Sequence, residues 1–130
     1  MLIAPDKFKG SLTAAQVAES VEAGLRRAAP DVEVDRVPVA DGGDGTLQAA
    51  LAAGFEPVSV IAAGPTGHPE PTTFGVREGT AVVELATVCG LSRLPGGLLE
   101  PMRSSSYGLG QVVRAALDRG CSTVIIGIGG

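Results

Sequence analysis

The chain has 130 residues, of which 45% are hydrophobic, 18% charged and 3% aromatic, with 19 glycines and no tryptophan. That describes one domain's worth of aliphatic core built from Val, Leu, Ile and Ala, and it excludes a disordered chain. A formal charge of −4 with both signs interspersed excludes the basic face that nucleic-acid binding requires.

Met1-Leu2-Ile3-Ala4 runs directly into Pro5-Asp6-Lys7, leaving no room for a signal-peptide apolar region or a membrane span, so a cytoplasmic protein with no membrane partner is expected. Leu2-Ile3-Ala4 reads as a short buried strand that opens into the polar loop Asp6-Lys7-Phe8-Lys9-Gly10-Ser11. Thr13 and Gln16 then have the spacing of a capping box, with Leu12 and Val17 placed as a hydrophobic staple. The helix they start carries Val17, Val21 and Leu25 on one face and stops before Pro30. Val32, Val34, Val37 and Val39 mark a second strand that Pro38 makes irregular or edge-like.

That strand delivers Asp41-Gly42-Gly43-Asp44-Gly45-Thr46, two carboxylates among three glycines. Glycines let a backbone approach a ligand closely, and aspartates offer oxygens to a hard cation or to a hydroxyl proton. The competing reading is a tight turn with solvated aspartates, since these are common turn residues. Residues 46–53 read as a helix with Gly54 as its left-handed C-terminal stop. Both polar loops follow strands and precede helices, where ligands bind in open α/β sheets.

A third strand at residues 58–62 precedes Gly64-Pro65-Thr66-Gly67-His68-Pro69-Glu70-Pro71, which breaks every regular pattern and is expected to mark a lobe boundary. Residues 72–76 and 80–85 then form a β-hairpin, residues 85–89 a short helix closed by Gly90, and Pro95-Gly96-Gly97 opens a connection to Ser104-Ser105-Ser106-Tyr107-Gly108. From Leu109, Val112, Val113, Ala116 and Leu117 define a helix that ends at Gly120, followed by the apolar strand of residues 123–128. The expected fold is α/β with two α/β lobes: residues 1–63 begin a first, layered lobe of alternating strands and helices, and residues 64–130 begin a second lobe with a mixed sheet. A chain ending just after a core strand reads as truncated.

Common nucleotide motifs are absent: there is no GxxxxGK[ST], and Gly108-Leu109-Gly110 lacks the third glycine of GxGxxG. His68 in its Pro-rich loop reads as solvated, and Cys89 and Cys121 as small buried hydrophobes. What remains is ammonium groups at Lys7 and Lys9, carboxylates at Asp6, Asp41 and Asp44, hydroxyls at Ser104, Ser105 and Ser106, and glycine-rich backbone. These parts suit phosphoryl transfer, which asks for positioned charge, a carboxylate-held Mg²⁺ and a group to orient the attacking hydroxyl. Solvated loop lysines and a helix-capping serine linker are the alternatives at those positions.

Ala4-Pro5-Asp6-Lys7-Phe8-Lys9-Gly10-Ser11-Leu12-Thr13-Ala14 and Pro38-Val39-Ala40-Asp41-Gly42-Gly43-Asp44-Gly45-Thr46 together closely resemble the bacterial glycerate kinase family. Ser105-Ser106-Tyr107-Gly108 and Ile125-Ile126-Gly127-Ile128-Gly129-Gly130 add two further matching blocks. The resemblance implies ATP-dependent phosphorylation of D-glycerate in a cleft between two lobes, with this chain as the N-terminal third. Within it, Asp41, Asp44 and Lys7 are the candidate catalytic residues, and Asp41 and Asp44 the candidate Mg²⁺ ligands. Lys9, Ser11, Gly42, Gly43, Gly45, Ser105, Ser106, Tyr107, Gly108, Gly129 and Gly130 are the candidate contacts to substrate or phosphate. A non-catalytic α/β binding or interaction module that keeps the glycine loops as structural turns is the alternative.

Overall fold

A computed structural model describes residues 1–8 and 11–129. The chain divides into two compact units, residues 1–40 and 41–130.

In the first unit, β1 (Leu2–Ile3) pairs in parallel with β2 (Asp35–Arg36), and α1 (Ala14–Ala28) connects them. The capping box expected at Thr13 is present. Thr13 Oγ1 accepts from the Gln16 N–H at 3.2 Å, and Gln16 Oε1 accepts from the Thr13 N–H at 2.9 Å. Val17 and Ala18 are buried, while Val21 is exposed. The second strand is much shorter than its valines suggest. Asp35 and Val37 donate to the Met1 and Ile3 carbonyls, and Pro5, with no N–H to donate back to Val37, ends the ladder. Arg36 pairs with Glu19 and Glu22, tying β2 to α1.

The second unit opens with the loop of residues 41–45 and α2 (Thr46–Ala52), which stops at Gly54 with φ 91°. Four strands follow in the order β3 (Glu56–Ala63), β4 (Pro69–Arg77), β5 (Thr80–Glu84), β6 (Thr123–Gly127). The first two pairings are antiparallel and β5 with β6 is parallel, so the sheet is mixed. The β4–β5 hairpin turns on two residues, Glu78 and Gly79, both at positive φ, as a right-twisted hairpin prefers. β3 and β4 are joined by the Gly64 to His68 turn, in which Gly64 donates to the His68 carbonyl at 2.7 Å.

The crossover from β5 to β6 runs through α3 (Leu85–Cys89), two 3-10 turns and α4 (Tyr107–Asp118). Val112 and Ala116 of α4 pack in one core with Ala62, Phe74, Ala81, Val83, Val88 and Cys121. α4 sits so close to β3 that a Cβ on Gly108 would lie 1.7 Å from the Ala63 carbonyl oxygen. Only a glycine fits at that point of the helix. Gln111 supports the same junction, its Oε1 accepting from the Ala63 N–H at 2.7 Å. Both cysteines are free, Cys121 buried and Cys89 half-buried. Among the described residues no helix is long and apolar enough to cross a membrane.

Candidate active site

The parallel β5–β6 pair sets Glu84 and Gly127 opposite each other at the carboxyl ends of the two strands. The loop of residues 41–45 lies against this end, backbone to backbone. Gly129 N–H donates to the Gly42 carbonyl at 2.8 Å. A Cβ on Gly127 would lie 2.7 Å from that same carbonyl oxygen, and one on Gly129 would lie 2.8 Å from Gly43 Cα. Gly42 and Gly45, at φ 91° and 100°, adopt the left-handed backbone that glycine tolerates without strain. Two glycine segments far apart in sequence thus interlock.

Within the loop, Asp41 Oδ1 accepts from the Gly43 N–H at 2.9 Å, which fixes the carboxylate over the turn. Thr46 closes the other side, its Oγ1 donating to the Gly43 carbonyl at 2.8 Å. Gly45 is the N-cap of α2 and has no side chain to cap it. The acceptor comes instead from β5: Glu84, buried at 3% exposure, accepts from the Leu47 N–H through Oε2 at 2.7 Å. Glu84 is a functional residue outside the motif blocks of the sequence. The signal was there, a single carboxylate ending the apolar run Ala81-Val82-Val83.

Asp41, Gly42, Gly43, Asp44 and Gly45 are therefore brought together with Gly129, as one candidate group. Ser105, Ser106, Tyr107 and Gly108 form a second group around the start of α4. Ser105 N–H donates to the Pro65 carbonyl at 2.9 Å, Ser105 Oγ accepts from the Tyr107 N–H at 3.1 Å, and Ser106 caps α4 without a side-chain bond. Lys7 and Ser11 belong to the first unit. There the Lys7 N–H bonds Asp6 Oδ1 at 2.7 Å, and Ser11 Oγ donates to the Phe8 carbonyl at 3.2 Å. Lys9 and Gly130 lie outside the described residues.

Among the described residues no cluster of three His, Cys, Asp or Glu side chains could hold a metal. A pair of aspartates is nevertheless the donor set Mg²⁺ uses when phosphate oxygens and waters complete its octahedron. Asp41 and Asp44, three residues apart in one glycine loop, are the residues that could hold such an ion.

The profile of the glycerate kinase family matches residues 1–130. The chain belongs to the glycerate kinase family. It is 40% identical over 133 residues to the glycerate kinase of Bacillus subtilis (strain 168), covering all of this chain and 35% of that protein. It is also 40% identical over 134 residues to the glycerate 2-kinase of Escherichia coli (strain K12), again 35% of the relative. A crystal structure from Salmonella typhimurium LT2, named "putative glycerate kinase 2", matches with a TM-score of 0.80 at 39% identity, over 99% of this chain and 35% of that one. The chain thus spans about a third of the length of the glycerate kinases it matches. The α/β fold read from the sequence agrees with this structural match, and nothing in the comparisons favours a non-catalytic module.

Proposed function

We propose that the longer protein of which this chain forms about a third is an ATP-dependent kinase that phosphorylates a hydroxyl of D-glycerate, in the cytoplasm. In that reaction the glycerate oxygen forms a bond to the γ-phosphorus as the bond to the ADP leaving oxygen breaks. The hydroxyl proton passes to a carboxylate of the 41–45 loop, Asp41 or Asp44. The observation that carries this reading is the seat of that loop: a glycine segment bearing Asp41 and Asp44, with Asp41 bonded to the Gly43 N–H, packed at the carboxyl ends of parallel strands.

The one of Asp41 and Asp44 that does not take the proton would hold Mg²⁺ with the triphosphate, and the ion would supply neutralising charge on the transferring oxygens. The Asx-type bond from Gly43 keeps Asp41 oriented, so little reorganisation is needed as charge develops. Lys7, Lys9 and Ser11 engage anionic oxygens of the triphosphate or of the glycerate carboxylate, and Ser105, Ser106, Tyr107 and Gly108 with Gly129 and Gly130 complete the substrate contacts. The lobe division after residue 63 is proposed for the longer protein.

The test is made in the longer protein. Asp41→Ala and Asp44→Ala are each expected to lower kcat by roughly 100-fold or more while melting normally, on the scale of losing a preorganised electrostatic contact. Lys7→Met is expected to weaken ATP or glycerate binding in titrations. Near-normal turnover in both aspartate variants would remove the assignment, and unchanged affinity for both ligands would remove Lys7 from the site.

A further inference from the structure

We propose that Glu84 is the positioning residue of the aspartate loop, acting through the first turn of α2. The proposal deepens the kinase reading above and rests on it.

A helix start leaves its first N–H groups without intrahelical partners. In α2, Thr46 N–H turns back to the Gly43 carbonyl, Leu47 N–H is taken by Glu84 Oε2, and the N-cap, Gly45, offers no side chain. α2 has only seven residues, so its direction depends on such tethers more than on its own hydrogen bonds. Burying a carboxylate is costly unless it is well bonded, and a short bond from a backbone N–H is a strong charge-assisted one. At 3% exposure Glu84 is too enclosed to meet a ligand directly.

Its place in the sheet says what it holds. Glu84 ends β5 opposite Gly127, whose Cα packs against the Gly42 carbonyl. Its own carbonyl accepts from Thr87 Oγ1 at 2.9 Å, so α3 begins from the same fixed point. The aspartate loop is therefore gripped at both ends. The backbone of Gly127 and Gly129 holds residues 42 and 43, and the Glu84 carboxylate holds the helix start two residues past Gly45. Removing the carboxylate strands the Leu47 N–H against the sheet and frees the downstream end of the loop. Asp41 and Asp44 then drift relative to the transferring phosphoryl group, a displacement to which rate is more sensitive than binding.

The longer protein carries the test, as Glu84→Ala and Glu84→Gln, with steady-state kinetics in Mg-ATP and D-glycerate and amide exchange read at Leu47 and residues 41–45. In Glu84→Ala, kcat is expected to fall roughly 100-fold with KM for ATP within about threefold, as expected when reacting groups are misplaced. Glu84→Gln keeps an oxygen acceptor without the charge and should recover kcat to within about tenfold of wild type. Leu47 amide exchange should accelerate about tenfold or more in Glu84→Ala. A kcat within twofold of wild type, a KM rise at constant kcat, or equal kcat in the two variants would overturn the proposal. If Glu84→Ala fails to melt cooperatively, a third variant, Glu84→Asp, decides, because its carboxylate is one methylene short of the Leu47 N–H: a lower kcat with faster Leu47 exchange supports positioning, and wild-type values of both refute it. Should the wild-type protein leave glycerate unphosphorylated, the kinase reading fails by itself. Exchange at residues 41–45 then decides positioning, with unchanged rates in Glu84→Ala refuting it.

Discussion

Cys89 shows how burial alone sets the chemistry of a side chain. Half-buried at the end of α3, its thiol is pushed above its usual value of 9.0, chiefly because burial disfavours the thiolate, with a backbone hydrogen bond from Leu109 opposing. The folded protein holds that proton to higher pH than the unfolded chain does. The contribution to stability is therefore complete below 9.0 and is lost as pH rises through the raised folded value. Below pH 8 the thiol should react with iodoacetamide more slowly in folded protein than in urea, and Cys89→Ala should flatten the loss of stability measured above pH 9. A folded Cys89 alkylated as fast as a free thiol would contradict this. Its reading in the sequence as a small buried hydrophobe rather than a metal or disulfide residue needed only the absence of Cys/His spacing.

At the scale of elements, the interlock of two glycine segments separates structural glycines from permissive ones. Gly127→Ala must push the Gly42 carbonyl away, because a Cβ would stand 2.7 Å from it. It should destabilise the second unit by about 1–3 kcal/mol, the usual cost of overpacking. Gly110, on the exposed side of α4, has nothing within 4 Å of its Cβ position. Gly110→Ala should stabilise by about 0.5–1 kcal/mol through helix propensity. Urea unfolding of both variants checks the pair, and equal effects would show that the loop yields freely. Elements with strong local signals were legible in the sequence: the Thr13 capping box, the Gly54 and Gly120 stops, the hairpin at Glu78 and Gly79, and the apolar face of α4 at Val112 and Ala116, although Leu117, expected on that face, is exposed. The length of β2 was not, because its valines carry strand propensity while its hydrogen-bond partners are only the residues around β1. The role of Glu84 was not either: a carboxylate ending an apolar run marks the position, but its partner, the Leu47 N–H, is 37 residues away.

For the whole molecule, what the sequence could not carry is the pairing between distant segments, and the edges of the sheets make that matter. β1 and β2 form only a two-stranded sheet, which is marginal by itself. In the four-stranded sheet β6 lies at one edge, with Ile125 51% and Ile126 39% exposed, and β3 lies at the other, with Ile61 68% exposed. An apolar edge without blocking charges recruits other strands, and β6, Thr123–Gly127, carries no charge, whereas Glu56 and Pro57 blunt only the start of β3. Whole domains keep only about 5–15 kcal/mol of net stability, so association through two such edges competes with it directly. Residues 1–130 expressed alone should therefore self-associate, melt broadly and show no phosphorylation of glycerate, whereas the longer protein should melt cooperatively and turn over. Sedimentation, thermal unfolding and an ADP-release assay on the two preparations side by side check this. Limited proteolysis of the longer protein reads the proposed lobe division, with first cleavage expected in the Gly64 to His68 turn and first cleavage near Ala40 counting against it. A monomeric 130-residue chain that melts sharply and phosphorylates glycerate would mean that these edges are quiet and that the site is complete within them.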